Sequence, residues 1–343
     1  MSQPWGAQST TGPERVDTDA VRKRVYGQRG LGWLMILVTT WLCASLCQAE
    51  IHRWVDDQGK VHFGDRPPAR QKTEVLHIDT RTGWKPFDIK VYYLNQLVTE
   101  DSEQVDVKRI QRDVNLVYRF FDEILYFDFY QQVPVTIKVF PDYPSYSAYI
   151  ARVTGRSFGP TKGIYLGKTH EIAVFYHPDN RGGKDSTYRT IKHEVSHAIW
   201  GALAGLVPHW LQEGLAEQME TLVLQQGRFV IRAHAQNRAL LLRHQGKTLS
   251  VLEFVEVRSS DWRAHQAVSV NYAMAGQLVY RLFSTSYGRS CVTRLLQDYK
   301  RGERRRSYYL LDKHYIGGAE AFRVHWEQWR KTDMSEPAAV VLQ

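Results

Sequence analysis

Apolar positions along this chain change rhythm three times, and each rhythm predicts a different kind of structure. Residues 31–47 form a mostly apolar run of 17 positions, preceded by the basic cluster Arg22-Lys23-Arg24 with Arg29. That length suits a signal-peptide core and is short for a membrane span. Cys47-Gln48-Ala49 places small residues at −3 and −1 of a cleavage after Ala49. An uncleaved N-terminal anchor is the other reading of the run. Under either reading the basic cluster stays inside, so the remainder is expected in the periplasm or cell envelope. The polar residues before the cluster do not belong to a signal peptide, which places the expected translation start near Val21.

From Ile51 the rhythm becomes two. Ile51-His-Arg-Trp-Val and Val61-His-Phe-Gly flank the turn Asp57-Gln58-Gly59-Lys60, and Pro67-Pro68 closes the second strand. The polar stretch 69–85 reads as a linker. Beyond it, residues 89–94 and 133–140 alternate as strands. Val105, Ile110, Val114, Val117, Phe120 and Ile124 recur at helical spacing. Residues 145–152 predict a short helix; 163–166 and 171–176 predict two strands around Gly167-Lys168-Thr169. A helix over 187–204 follows, and helical periods dominate to Trp329. Strands first and helices later make an α+β chain. The expected layout is an extension and signal peptide over 1–49, a small β module over 50–68, a linker over 69–85, a main domain over 86–332 and a tail over 333–343.

Composition fits that picture: 43% hydrophobic and 24% charged over 343 residues is globular, with one large or two modest domains. Of three cysteines, Cys43 and Cys47 fall in the signal region. Cys291 is then alone, and an intrachain disulfide is excluded after cleavage. The net charge is +9, and the first 49 residues hold only five Arg/Lys against three Asp/Glu. The late run Lys300-Arg301-Gly302-Glu303-Arg304-Arg305-Arg306 offers contact with an anionic envelope surface, or is a solvated loop. No nucleic acid partner is expected, and the oligomeric state is left open.

The chemistry concentrates on the helix over 187–204. His193-Glu194-Val195-Ser196-His197 sets two imidazoles at i and i+4, so both rings leave one helix face and grip a single Zn²⁺. Glu194 stands beside them as general base for an activated water. The next helix, opened by Pro208, carries Glu213 and Glu217 at i and i+4. Antiparallel packing, with Gly201 and Gly205 at the turn, would bring Glu213 in as third ligand and leave one position open. Glu217 would accept the outer N–H of a ligating histidine. His170, His177 and His209 have no ligand spacing and read as surface or packing residues.

Two resemblances extend this. His193-Glu194-x-x-His197 with Trp210-Leu211-x-Glu213-Gly214-Leu215-Ala216-x-x-x-Glu220 resembles the gluzincins, the zinc peptidases that include thermolysin and the large aminopeptidases. The likeness implies a thermolysin-like zincin domain with a mixed sheet, an active-site helix and a helical C-terminal part. It also implies a Tyr hydroxyl facing the substrate carbonyl, matched here by Tyr272, with Asn271 and Gln277 as vaguer candidates nearby. An edge strand that templates extended peptide by backbone hydrogen bonds is implied too, matched by Ile172, Ala173, Val174 and Phe175. The spacing from His197 to Glu213 is shorter than in the aminopeptidase branch, and no Gly-x-Met-Glu-Asn segment is present, which argues against exopeptidase action. Separately, Trp54, Asp56, Gly59, Val61, Phe63, Asp65, Arg66 and Pro67 resemble a small domain found after the signal peptide of many proteobacterial exported proteins.

Together these imply an exported zinc-dependent metallohydrolase, most simply an endopeptidase. The rival is an envelope binding or assembly protein whose zinc site is structural or vestigial. Glu194 discriminates, because a structural site has no need of a base beside its metal.

Overall fold

The computed structural model describes residues 51–55, 61–64, 73–76, 87, 89–127, 135–156, 161–176, 183–203, 207–262, 268–332, 334 and 338–342. The expected signal peptide, the start near Val21, Gly205 and His177 lie outside the described residues. The chain divides into two compact units, residues 1–83 and 84–343.

In the first unit, β1 (Ile51–Val55) pairs antiparallel with β2 (Val61–Gly64), as the alternation predicts. A third strand, β3 (Thr73–Leu76), occupies the other edge of β1. It falls inside the stretch expected as linker, so that boundary is corrected. Four residues between polar runs are too few for alternation to register. The strand forms because β1 offers a row of unpaired backbone groups.

The second unit opens with a hairpin, β4 (Lys90–Tyr93) and β5 (Gln96–Val98), turned by Leu94 and Asn95 at φ 47° and 65°. Next comes α1 (Val107–Glu123), where Asp106 caps the first turn by accepting from the Arg109 N–H at 2.7 Å. Then follow β6 (Thr136–Phe140), α2 (Tyr143–Thr154), β7 (Gly163–Leu166) and β8 (Glu171–Phe175). The sheet order is β5-β4-β6-β8-β7, with β4, β6 and β8 parallel and both outer strands antiparallel to their neighbours.

Both faces of this sheet are covered. On β8, Ile172 and Val174 enter the main core with Val114, Val117 and Phe121 of α1. Ala173 and Phe175 point the other way, into a smaller cluster with Tyr146, Tyr149 and Ile150 of α2. A strand buried on both faces reads as a continuous apolar run, and here that run conceals its position in the sheet. The expectation that Ile172, Ala173, Val174 and Phe175 bind extended peptide is therefore corrected. Strand β8 is paired to β6 on one side and to β7 on the other, so its backbone groups are already engaged. The sheet edge on that side is β7.

The remainder is mainly helical. It comprises α3 (Gly183–Leu203), α4 (His209–Thr221), β9 (Val223–Gln225), β10 (Arg228–Ile231), α5 (Ala235–Arg243), the single turn α6 (Val251–Phe254), α7 (Val268–Phe283), α8 (Ser286–Lys300), α9 (Ser307–His314), α10 (Gly318–Thr332) and β11 (Val340–Leu342). The expected tail over 333–343 is corrected, since β11 pairs with β10, burying Val340 and Leu342 while Val341 stays exposed. Among the described residues no helix is long and apolar enough to cross a membrane. The architecture is thus mixed α and β, with a mixed sheet ahead of a helical second half.

Two contacts fix α4, which carries the acidic residues. Lys192 of α3 donates to the Leu222 carbonyl just past the end of α4 at 2.8 Å. On the opposite flank, Gly214 lets α7 approach so closely that an added Cβ would meet the Ala275 carbonyl oxygen at 2.6 Å and Val279 Cγ2 at 2.4 Å. A backbone carbonyl cannot swing aside as a side chain does. Gly214→Ala is therefore expected to cost about 1–3 kcal/mol through forced separation of the helices, read as a lowered urea midpoint; an unchanged midpoint would show that α4 and α7 part freely.

Candidate metal centre

His193 and His197 lie one turn apart on α3, ring centroids 5.0 Å from each other, and both are mostly buried. Helix α4 runs back along them, as the spacing predicts, and brings Glu213 between the two rings. Glu213 Oε2 is 3.4 Å from His193 Nε2 and 3.5 Å from His197 Nε2. Although buried, that oxygen has no hydrogen-bond partner. A buried carboxylate oxygen without a partner is costly, and this one faces two imidazole nitrogens. Tetrahedral bonds of about 2.0–2.1 Å hold neighbouring donors about 3.3–3.4 Å apart, which is the spacing seen here. The donor set of two imidazoles and one carboxylate fits Zn²⁺.

The charges agree with a site built around a cation. Burial pushes the His193 imidazolium down, but the Glu213 and Glu220 carboxylates outweigh it and raise its pKa well above the ordinary histidine value. Burial likewise pushes the Glu213 carboxyl up, yet His197 and His193 hold it well below the usual carboxylate range. The two carboxylates thus hold positive charge where a metal would sit. Glu194, also buried, is raised by desolvation against the pull of both histidines, and the Tyr165 N–H on β7 supports its ionised form.

Glu220, rather than Glu217, holds the His193 ring. The Nδ1–H of His193 donates to Glu220 Oε1 at 2.9 Å, which leaves Nε2 free to face the metal position. Glu217 instead accepts from Asn237 Nδ2 at 2.7 Å and lies 3.6 Å from His234 Nε2. His234 Nε2 is also 3.6 Å from Glu220 Oε2, and it bonds the Glu217 backbone carbonyl at 3.0 Å. Burial and neighbouring Glu220 push Glu217 up, while Glu220 is drawn down by the bond from His193 despite its burial. Glu220→Gln is expected to weaken zinc binding by about 10–100-fold, measured by competition with a chromogenic chelator; Glu217→Gln is expected to do less.

His209, read from sequence as a packing residue, lies at the site: its Nε2 is 3.5 Å from Glu213 Oε1. Its i, i+4 spacing to Glu213 was the signal that the sequence reading passed over. Its ring meets Trp262 edge-on at 4.4 Å, and Trp262 in turn meets Tyr272 at 6.0 Å. Ring contacts thus run from His209 through Trp262 to Tyr272. Asn271 donates to the Trp262 carbonyl, and Gln277 is buried in α7. His170 Nδ1 pairs with the Tyr165 hydroxyl at 2.9 Å. Cys291 is a buried free thiol.

Comparison with known families bears on the first unit alone. Residues 38–82 match the family Domain of unknown function (DUF4124). This domain takes in all three strands β1–β3, where the sequence reading stopped at residue 68. No curated protein matches the chain.

Proposed function

We propose that this chain is an exported zinc-dependent endopeptidase of gluzincin type, acting through His193, His197 and Glu213 as ligands and Glu194 as base. The observation that supports it most is the unpartnered, buried Glu213 Oε2 set 3.4 and 3.5 Å from the two imidazole nitrogens. Zinc supplies Lewis acidity there, acidifying water and polarising a carbonyl. Glu194 takes the proton from the attacking water and returns it to the departing amine. Burial raises its pKa, which strengthens the carboxylate as a base. The Tyr165 N–H supports the ionised carboxylate before it takes the proton and after it has returned it.

Strand β7 takes over the template role first assigned to Ile172–Phe175. It lies at the sheet edge, and its Tyr165 already reaches the base, so an extended peptide paired along β7 would pass beside Glu194. The test is hydrolysis of an unfolded protein substrate by the purified chain. Activity should vanish with a zinc chelator and return on adding zinc. Protein that neither contains nor binds zinc would overturn the proposal.

A further inference from the structure

A cleft of about 900 Å³ opens between the outer face of α8, the end of α1 and the strands β10 and β11. From α8 it is lined by Ser286, Arg289, Ser290, Thr293, Arg294 and Gln297. Their spacings of three and four place them on one helix face. Arg228 lines it from β10 and Tyr126 from the turn after α1. Three guanidinium groups and four hydroxyls (Ser286, Ser290, Thr293 and Tyr126) thus share one cleft, and no Asp or Glu is among the described residues lining it. Arg289 spends one N–H on the Phe283 carbonyl at 3.0 Å, while Arg294 is exposed.

This differs from the basic run 300–306, where an anionic partner was first expected. There Arg305 pairs with Glu303 at 2.7 Å and Arg306 with Glu256 at 2.6 Å. Arg304 donates to the Tyr299 and Glu303 carbonyls, and Lys300 to the Phe127 carbonyl. Charge in that run is largely engaged within the fold. Tyr126 adds a separate mark to the cleft. It holds φ at 49°, a conformation glycine takes at lower cost, and its side chain is 66% exposed. An aromatic ring standing free beside guanidinium groups is suited to cover the organic part of a charged ligand.

We propose that this cleft binds phosphate-bearing compounds, whether a lipid headgroup or a soluble phosphorylated molecule. Guanidinium forks match the oxygens of tetrahedral oxyanions, and hydroxyls fill the remaining acceptor sites. One fork satisfies the two oxygens of a carboxylate, so the forks and hydroxyls gathered along one face of α8 match a group with more acceptors. The assignment is independent of the chemistry at His193.

The test uses the full chain and two probes. Inorganic pyrophosphate is titrated by calorimetry, and vesicles of equal parts phosphatidylcholine and phosphatidylglycerol are cosedimented against phosphatidylcholine alone. R294Q is expected to weaken binding roughly fivefold and R228Q/R294Q at least about tenfold, whereas R305Q, equal in charge to R294Q, should change it less than about twofold. Should the double variant fail to fold, R294Q against R305Q decides. Pyrophosphate binding alone supports a soluble ligand, and vesicle binding alone supports a headgroup. Binding of neither probe, or equal losses in R294Q and R305Q, overturns the proposal.

Discussion

Replacing Glu194 by Gln is expected to leave zinc bound at wild-type affinity and to cut peptide hydrolysis by about 10²–10⁴-fold. The separation of the two effects follows from position. Glu194 follows His193 directly on α3, but its side chain is not among the groups that converge to where a metal ion could be held, which are His193, His197 and Glu213. Gln keeps the shape and an oxygen acceptor for the Tyr165 N–H, so the helix and β7 stay in place. What it loses is the basic oxygen. Metal content by mass spectrometry and turnover of unfolded casein, with and without chelator, read the two quantities separately. A variant that retained full turnover would remove Glu194 from the mechanism. A variant that lost zinc would make Glu194 structural and return the envelope-binding alternative to the front.

The site was legible where the information is local. Two histidines at i and i+4, and a carboxylate on the following antiparallel helix, are read from spacing alone, and the structure brings those three together. The error at Glu217 also has a local cause. Counted from Glu213, four residues turn a side chain by about 40° around the helix and seven by about 20° the other way. Glu220 therefore shares the ligand's direction more closely and reaches His193, while Glu217 turns toward Asn237 and His234. His234 carried no local signal, because it sits beyond the hairpin of β9 and β10 and arrives only when that hairpin folds back.

The fold divides along the same line. Long amphipathic helices and the central strands were visible as periods. The order of strands within the sheet was not, since β7 and β8 are adjacent in sequence and only the third-dimensional pairing of β8 with β6 reveals which is the edge. The short strands β3, β5 and β11 were invisible for a related reason. Three or four residues make too brief a pattern, and each strand exists because a neighbour presents unpaired backbone. The basic run 300–306 misled because its partner Glu256 lies some fifty positions earlier, a pairing no window along the sequence contains.

The second large effect is expected at Glu213. Four-ligand zinc sites bind with about 10–16 kcal/mol, or roughly 3–4 kcal/mol for each ligand, so loss of one ligand should weaken binding about 10²–10³-fold. Glu213→Gln is the sharper substitution, because it preserves volume between the two rings and removes only the charge that balances the metal. His209 complicates the outcome in an informative way. Its Nε2 lies 3.5 Å from Glu213 Oε1, and burial lowers its pKa, which keeps the imidazole neutral and able to coordinate. With Glu213 neutralised, His209 is placed to enter as a third imidazole, and the single variant would then lose less than the full ligand's share. Glu213→Gln combined with His209→Ala closes that route. The combined variant should therefore bind zinc more weakly than the product of the two single effects. His209→Ala alone should leave affinity nearly unchanged. Zinc affinities from chelator competition across these three variants form a cycle whose coupling measures the substitution. If Glu213→Gln binds zinc as tightly as the wild type even with His209 removed, Glu213 is no ligand, and the buried oxygen between the histidines has some other cause.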